Sequence, residues 1–90
     1  MPLPYCVYVL NSLKDHKHYI GFTMNLENRI VDHNEGKTTS TAPRRPLELI
    51  YCEFHKSKED AMRRERYFKT TAGKKVLKLM LREALIKYKD

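Results

Sequence analysis

Arg29 and His33 stand four residues apart in a stretch whose apolar residues, Leu26 and Ile30, share that spacing. At about 100° per residue the two lie roughly 40° apart on a helix, beside the Leu26/Ile30 stripe rather than opposite it. A cation and an imidazole at the edge of a buried face can belong to a functional site, and they can equally snorkel over a core. Glu65 is the second such case: on a helix it falls between Ala61 and Met62 and near Phe68, with Arg63 and Arg64 on the other side. Burying an unpaired carboxylate is costly. Glu65 therefore either pairs with a cation, Arg29 or a nearby lysine, or binds a hard cation such as Mg²⁺, which takes carboxylate oxygen and keeps most of its waters.

Tyr8 and Tyr19 fall in two runs of β character. Alternation puts Tyr8 on the face of Cys6 and Leu10, and Tyr19 on the face of Gly21. Cross-strand packing explains strand tyrosines as readily as chemistry does, and their convergence depends on the hairpin register. Gly21 within a strand points to another group approaching the backbone closely.

The elements that must position these residues follow from pattern. Tyr5–Leu10 and Lys17–Phe22 read as two strands of a hairpin, joined by the polar segment 11–16. A helix is predicted from about Asn25 to Glu35, ending at Gly36, where a left-handed cap is cheap. Lys37–Pro46 has no periodicity, two prolines, three cations and four hydroxyls, and reads as a loop. Leu47–Phe54 is a third strand. Ser57-Lys58-Glu59-Asp60 is a capping box with Asp in place of Glu, opening a helix to about Thr70. Gly73 is expected to interrupt it before a last helix striped by Val76, Leu77, Met80, Leu81, Ala84, Leu85 and Tyr88. The order β-β-α-β-α-α makes the fold class α/β (α+β), within one domain over residues 1–90.

Ninety residues supply one modest core, so a site must share residues with it. Hydrophobic residues at 41% and charged residues at 32% exclude a disordered chain, and no apolar run approaches the roughly 20 residues of a membrane span. The N-terminus lacks the pattern of a secretory signal, so a cytoplasmic location is expected. Cys6 and Cys52 have neither zinc-site spacing nor disulfide density and read as small hydrophobes with free thiols. The net charge of +7 is uneven: residues 1–55 carry six Lys/Arg and six Asp/Glu, residues 56–90 twelve against five. A basic half fits a polyanion partner, since Lys and Arg that neutralise phosphates release counterions; it also fits a merely soluble surface.

Taken together, Cys6-Val7-Tyr8, Tyr19-Ile20-Gly21, the run Leu26 to His33, and Glu65 within Ala61 to Glu65 resemble the GIY-YIG nuclease domain. The likeness runs from about Tyr5 to Leu85 and is nearest to small stand-alone members of the excinuclease-subunit-C-like, UPF0213 type. It implies a three-stranded antiparallel sheet flanked by helices and a metal-dependent DNA endonuclease using Mg²⁺ or Mn²⁺, structure- or damage-directed, in repair or recombination. By the same resemblance Tyr8 is the general base or positions the water, with His33 assisting. Tyr19 holds the nucleophile or a phosphate oxygen, Arg29 stabilises phosphoryl charge, and Glu65 holds the metal. The sequence departs from the pattern twice. Cys6 replaces the first motif glycine, and the Asn that often follows the metal Glu is absent, leaving Lys69, Thr70 and Lys74 as candidate replacements in contacting phosphate.

The expected partner is DNA, with RNA possible, contacted through Lys37, Arg44, Arg45, Lys69, Lys74 and Lys75. One site per chain favours a monomer cutting one strand; a weak homodimer would serve paired cuts, and a guiding protein partner is compatible with so small a chain. The competing reading is a nucleic-acid-binding module of the same fold without catalysis.

Overall fold

A computed structural model describes residues 3–86. Strand β1 (Tyr5–Ser12) and strand β2 (His18–Thr23) form the hairpin, followed by helix α1 (Leu26–Asn34) and a 3-10 turn (Ala42–Arg44) inside the expected loop. Strand β3 (Leu47–His55) precedes helices α2 (Lys58–Phe68), α3 (Thr71–Met80) and α4 (Arg82–Ile86). The sheet is antiparallel in the order β2-β1-β3. With β1 paired on both sides and covered on both faces, Cys6 to Leu10 are all buried, which is why that run is apolar without alternation.

On one face Val7, Val9 and Ile20 pack against Ala61 and Phe68 of α2, with Leu77 and Leu81 beyond them. On the other, Cys6, Tyr8, Leu10 and Leu47 meet Leu26 and Ile30 of α1. A bulge on β3 reconciles the two layers: Val9 pairs with Tyr51 and Leu10 with Leu49, leaving Ile50 as the extra residue. Ile50 and Tyr51 consequently both pack on the α2 face, while Leu49 and Cys52 serve the α1 face. Cys6 and Cys52 are free thiols, the first buried and the second half-buried, and burial pushes the Cys6 thiol up to about 11, with Cys52 adding to the shift.

The helix ends follow their capping chemistry. Asn25 caps α1 by accepting the Asn28 N–H at 3.1 Å. Gly36 closes it at φ 78°, with Gly36 N–H bonded to the His33 carbonyl and Lys37 N–H to the Asp32 carbonyl. Ser57 caps α2 through the Asp60 N–H.

The break expected at Gly73 lies earlier, at Lys69–Thr70. Thr70 is the N-cap of α3, accepting the Gly73 N–H at 3.0 Å. Gly73 sits in the first turn of α3, where any Cβ would collide with the Tyr67 carbonyl, so close backbone packing and not helix termination requires glycine there. The last helix divides at Leu81, and Tyr88 lies outside the described residues. No described helix is long and apolar enough to cross a membrane.

Candidate active site

Register decides whether the tyrosines converge. Tyr8 pairs with Gly21 and Leu10 with Tyr19, so both rings project from the face covered by α1. The Tyr8 ring lies across Gly21, where a Cβ would overlap its Cζ and hydroxyl oxygen. That is the close approach expected of a glycine inside a strand.

Helix α1 is fixed over this face at its far end. The Asn34 amide donates to the Leu47 carbonyl at 3.1 Å and accepts the Leu47 N–H at 2.9 Å, tying α1 to the start of β3. The face so presented carries Arg29 and His33. His33 is fully buried rather than at the stripe edge.

Its ring is held at both nitrogens. Nε2 lies 2.9 Å from the Tyr8 hydroxyl and Nδ1 2.7 Å from Thr41 Oγ1, while Arg29 Nε donates to the Tyr8 hydroxyl at 3.4 Å. Arg29 can only donate, so the Tyr8 oxygen accepts from it; assigning the phenol proton to His33 Nε2 gives the tautomer in which a single directed chain satisfies every group. His33 then carries its proton on Nδ1 and donates to Thr41, whose hydroxyl donates onward to the Thr38 carbonyl at 3.4 Å. One directed chain, Arg29 to Tyr8 to His33 to Thr41, satisfies each of these groups.

The electrostatics agree with that assignment. Burial raises the Tyr8 hydroxyl above the usual phenol value; Arg29 opposes the shift, and the charges of Tyr19 and Glu65 add to it. Burial, helped by the Arg29 charge, lowers His33, with Asp32 opposing. The bond to Tyr8 raises Arg29 further, so it stays charged. At neutral pH the site holds a neutral phenol, a neutral imidazole and a guanidinium. Tyr19 meets the His33 ring edge-on, with centroids 5.1 Å apart.

Glu65 reaches this region from α2, in the opposite layer, and its charge bears on the Tyr8 hydroxyl. Its side chain is 20% exposed and Oε2 accepts from Lys69 Nζ at 3.2 Å, so of the cations considered as partners it takes a nearby lysine and not Arg29. Thr70, considered as a phosphate contact, spends its hydroxyl on the α3 cap and on the Tyr67 carbonyl. Lys37 is ion-paired with Glu35 and Asp32. The Arg45 guanidinium lies over Gly36 and its Nε donates to the Ala42 carbonyl. Arg44, Lys74 and Lys75 are exposed.

The site thus unites Tyr8, Tyr19, Arg29 and His33, with Glu65 within electrostatic range. Thr41 is the member that pattern reading missed; its only signal was a cluster of four hydroxyls soon after His33.

Comparison with known proteins identifies the family. The family model described as the GIY-YIG catalytic domain matches residues 4–78. UPF0213 protein SH2523 of Staphylococcus haemolyticus is 44% identical over 75 residues, covering 82% of this chain and 90% of that protein. UPF0213 protein YazA of Bacillus subtilis is 44% identical over 63 residues, covering 69% of this chain and 64% of that one. The solution structure of UPF0213 protein BH0048 from Bacillus halodurans superposes with a TM-score of 0.54 at 34% identity, covering 84% of this chain and 83% of the other. A hairpin with Tyr8 packed on Gly21, a helix presenting Arg29 and His33, and a match over most of the length lead to one assignment: the chain belongs to the GIY-YIG nuclease superfamily, among its UPF0213 proteins.

Proposed function

We propose that this protein is a Mg²⁺- or Mn²⁺-dependent endonuclease that hydrolyses phosphodiester bonds in DNA, directed by structure or damage, in cytoplasmic repair or recombination. The observation that carries the reading is the hydrogen-bonded chain Arg29–Tyr8–His33–Thr41. A phenol raised above its usual value is a poor base at neutral pH. The chain removes that difficulty: as the Tyr8 oxygen takes a proton from the attacking water, its own proton passes to His33 Nε2, so the imidazole supplies the basicity. Thr41 holds His33 in the accepting tautomer. Arg29 uses Nε on Tyr8 and keeps its remaining N–H groups for phosphoryl oxygens, where charge builds during in-line displacement. Tyr19, on the same face, holds the nucleophile or a phosphate oxygen.

Glu65 suits the metal. It is a partly buried carboxylate with one oxygen on Lys69, and among the described residues no group of three or more His, Cys, Asp or Glu forms a richer cage. A single carboxylate completed by water and substrate phosphate is a donor set Mg²⁺ accepts. When bound, the metal neutralises charge on the leaving oxygen. Arg44, Arg45, Lys69, Lys74, Lys75 and, once freed from its acidic neighbours, Lys37 contact phosphates, which positions nucleic acid without reading sequence. A monomer with one site nicks one strand.

A second reading, a binding module without catalysis, draws on the Lys69–Glu65 ion pair and on the absence of an Asn after Glu65. Labelled linear, nicked, flapped and four-way DNAs and an RNA, incubated with Mg²⁺ or Mn²⁺, separate the two. The nuclease reading expects metal-dependent cutting of at least one branched or nicked DNA; salt-sensitive binding with no cutting of any substrate would establish the module instead.

A further inference from the structure

A concavity of about 390 Å³ opens on the other side of β2 from the tyrosines. His16 and Lys17 reach it from the β1–β2 turn, His18 from the start of β2, Arg44 from the 3-10 turn, and Lys74 and Lys78 from α3, with no carboxylate among the lining residues. Ile20 and Leu77, both buried, supply its apolar wall. A volume of this size lies in the range of ligand sites, and four cationic side chains on three elements, Lys17, Arg44, Lys74 and Lys78, with two histidines beside them, call for a ligand with several negative charges.

The walls are fastened to one another. Ser12 Oγ donates to the Arg44 carbonyl at 2.7 Å and accepts the Lys14 and Asp15 N–H groups, while Lys14 Nζ donates to the Pro43 carbonyl at 3.2 Å. Asn11, the cross-strand partner of His18, is fully buried, and among the described residues neither end of its amide has a hydrogen-bond partner. The Lys78 charge is felt at His18, whose imidazole is held below its ordinary value first by burial and then by Lys78.

The sheet order gives the groove its relation to the cut. β2 is an edge strand, with Tyr19 on one face and His18 and Ile20 on the other. We propose that the groove binds phosphodiester backbone, taking a single-stranded arm of the substrate as it leaves Tyr8 and Arg29 and turns around the edge of β2. This inference rests on the nuclease reading of the tyrosine face. Duplex DNA is too stiff to turn around one strand, its persistence length being about 150 base pairs, whereas a single-stranded arm follows freely. Flapped DNA is therefore the preferred substrate class.

The test reads binding and not cutting. Isotope-labelled wild-type protein is titrated with a ten-residue oligothymidine, with inorganic tripolyphosphate and with a blunt duplex, following backbone amides by NMR. The amides of residues 16–20 and 74–78 shift with the oligothymidine. In parallel, the double variant Lys17→Gln/Lys78→Gln binds flapped DNA roughly tenfold more weakly at 0.1 M salt, with the salt slope reduced by about 1.4, the single-strand value for two lost contacts. Wild-type affinity and slope in the variant, or groove shifts with tripolyphosphate but none with oligothymidine, would overturn the proposal. Because no step depends on catalysis, a wild-type protein that binds in the groove and cuts nothing would sink the nuclease reading alone.

Discussion

The Tyr8 ring lies across Gly21, its partner on the neighbouring strand, with no room for a methyl group between them. The second half of the family signature thus has a mechanical meaning: the glycine is the floor on which the Tyr8 phenol rests. Gly21→Ala should displace a fully buried ring and its bonds to His33 and Arg29. We expect a loss of about 1–3 kcal/mol in stability, typical of overpacking a core, with a larger proportional loss of cutting. Denaturant unfolding beside single-turnover rates measures both.

Thr41 is predicted to set the His33 tautomer. In wild type at neutral pH, ¹⁵N shifts should report protonated Nδ1 and bare Nε2. Thr41→Val leaves the buried Nδ1–H without its acceptor, which costs about 1–3 kcal/mol and releases the tautomer preference. An unchanged ¹⁵N pattern in the variant would show that Thr41 does not hold the ring.

The pH profile should follow the imidazole. His33 is lowered from its ordinary 6.5, so cutting should fall only as pH drops below that value, and no limb should appear near the phenol range. Stability moves in the same direction. A histidine whose folded value is depressed binds fewer protons folded than unfolded, so its contribution is fully present above about 6.5 and is lost as pH falls through the depressed value. His33→Gln should flatten both limbs.

The Lys69–Glu65 ion pair occupies the carboxylate that the proposed function gives to the metal. A like charge some 4 Å away is worth about 1 kcal/mol in water, so Lys69→Ala should lower the half-saturating Mg²⁺ concentration about fivefold at saturating DNA. If Lys69 also contacts phosphate, DNA affinity drops while metal affinity rises, and separate titrations resolve the two.

Much of the fold was legible because local signals agreed. The β-branched and aromatic run Tyr5–Leu10 reads as a strand, Asn25 and Gly36 bracket α1 through their caps, and Ser57 opens α2. Helical rotation singled out Arg29, His33 and Glu65 without any relative in view. What escaped needs tertiary contact to define it. Gly73 reads as a breaker until the Tyr67 carbonyl is placed against it. The bulge at Ile50 exists only against Val9 and Leu10. Thr41 is one hydroxyl among four until His33 selects it. Burial of His33 could not be read from α1 alone, since β1 and the 37–46 loop provide its cover.

The central claim, that Arg29 and Glu65 act on a phosphodiester through the Tyr8–His33 face, is tested most directly by single-turnover cutting of flapped DNA in Mg²⁺. Wild type, Arg29→Ala and Glu65→Ala would be compared at saturating protein, with binding measured alongside. The account predicts metal-dependent cutting by wild type and a rate loss of about 10²–10³-fold in each variant, the scale of losing one preorganised charge partner, with DNA still bound. Cutting undiminished in both variants, or none by wild type on any branched or nicked DNA, would contradict it.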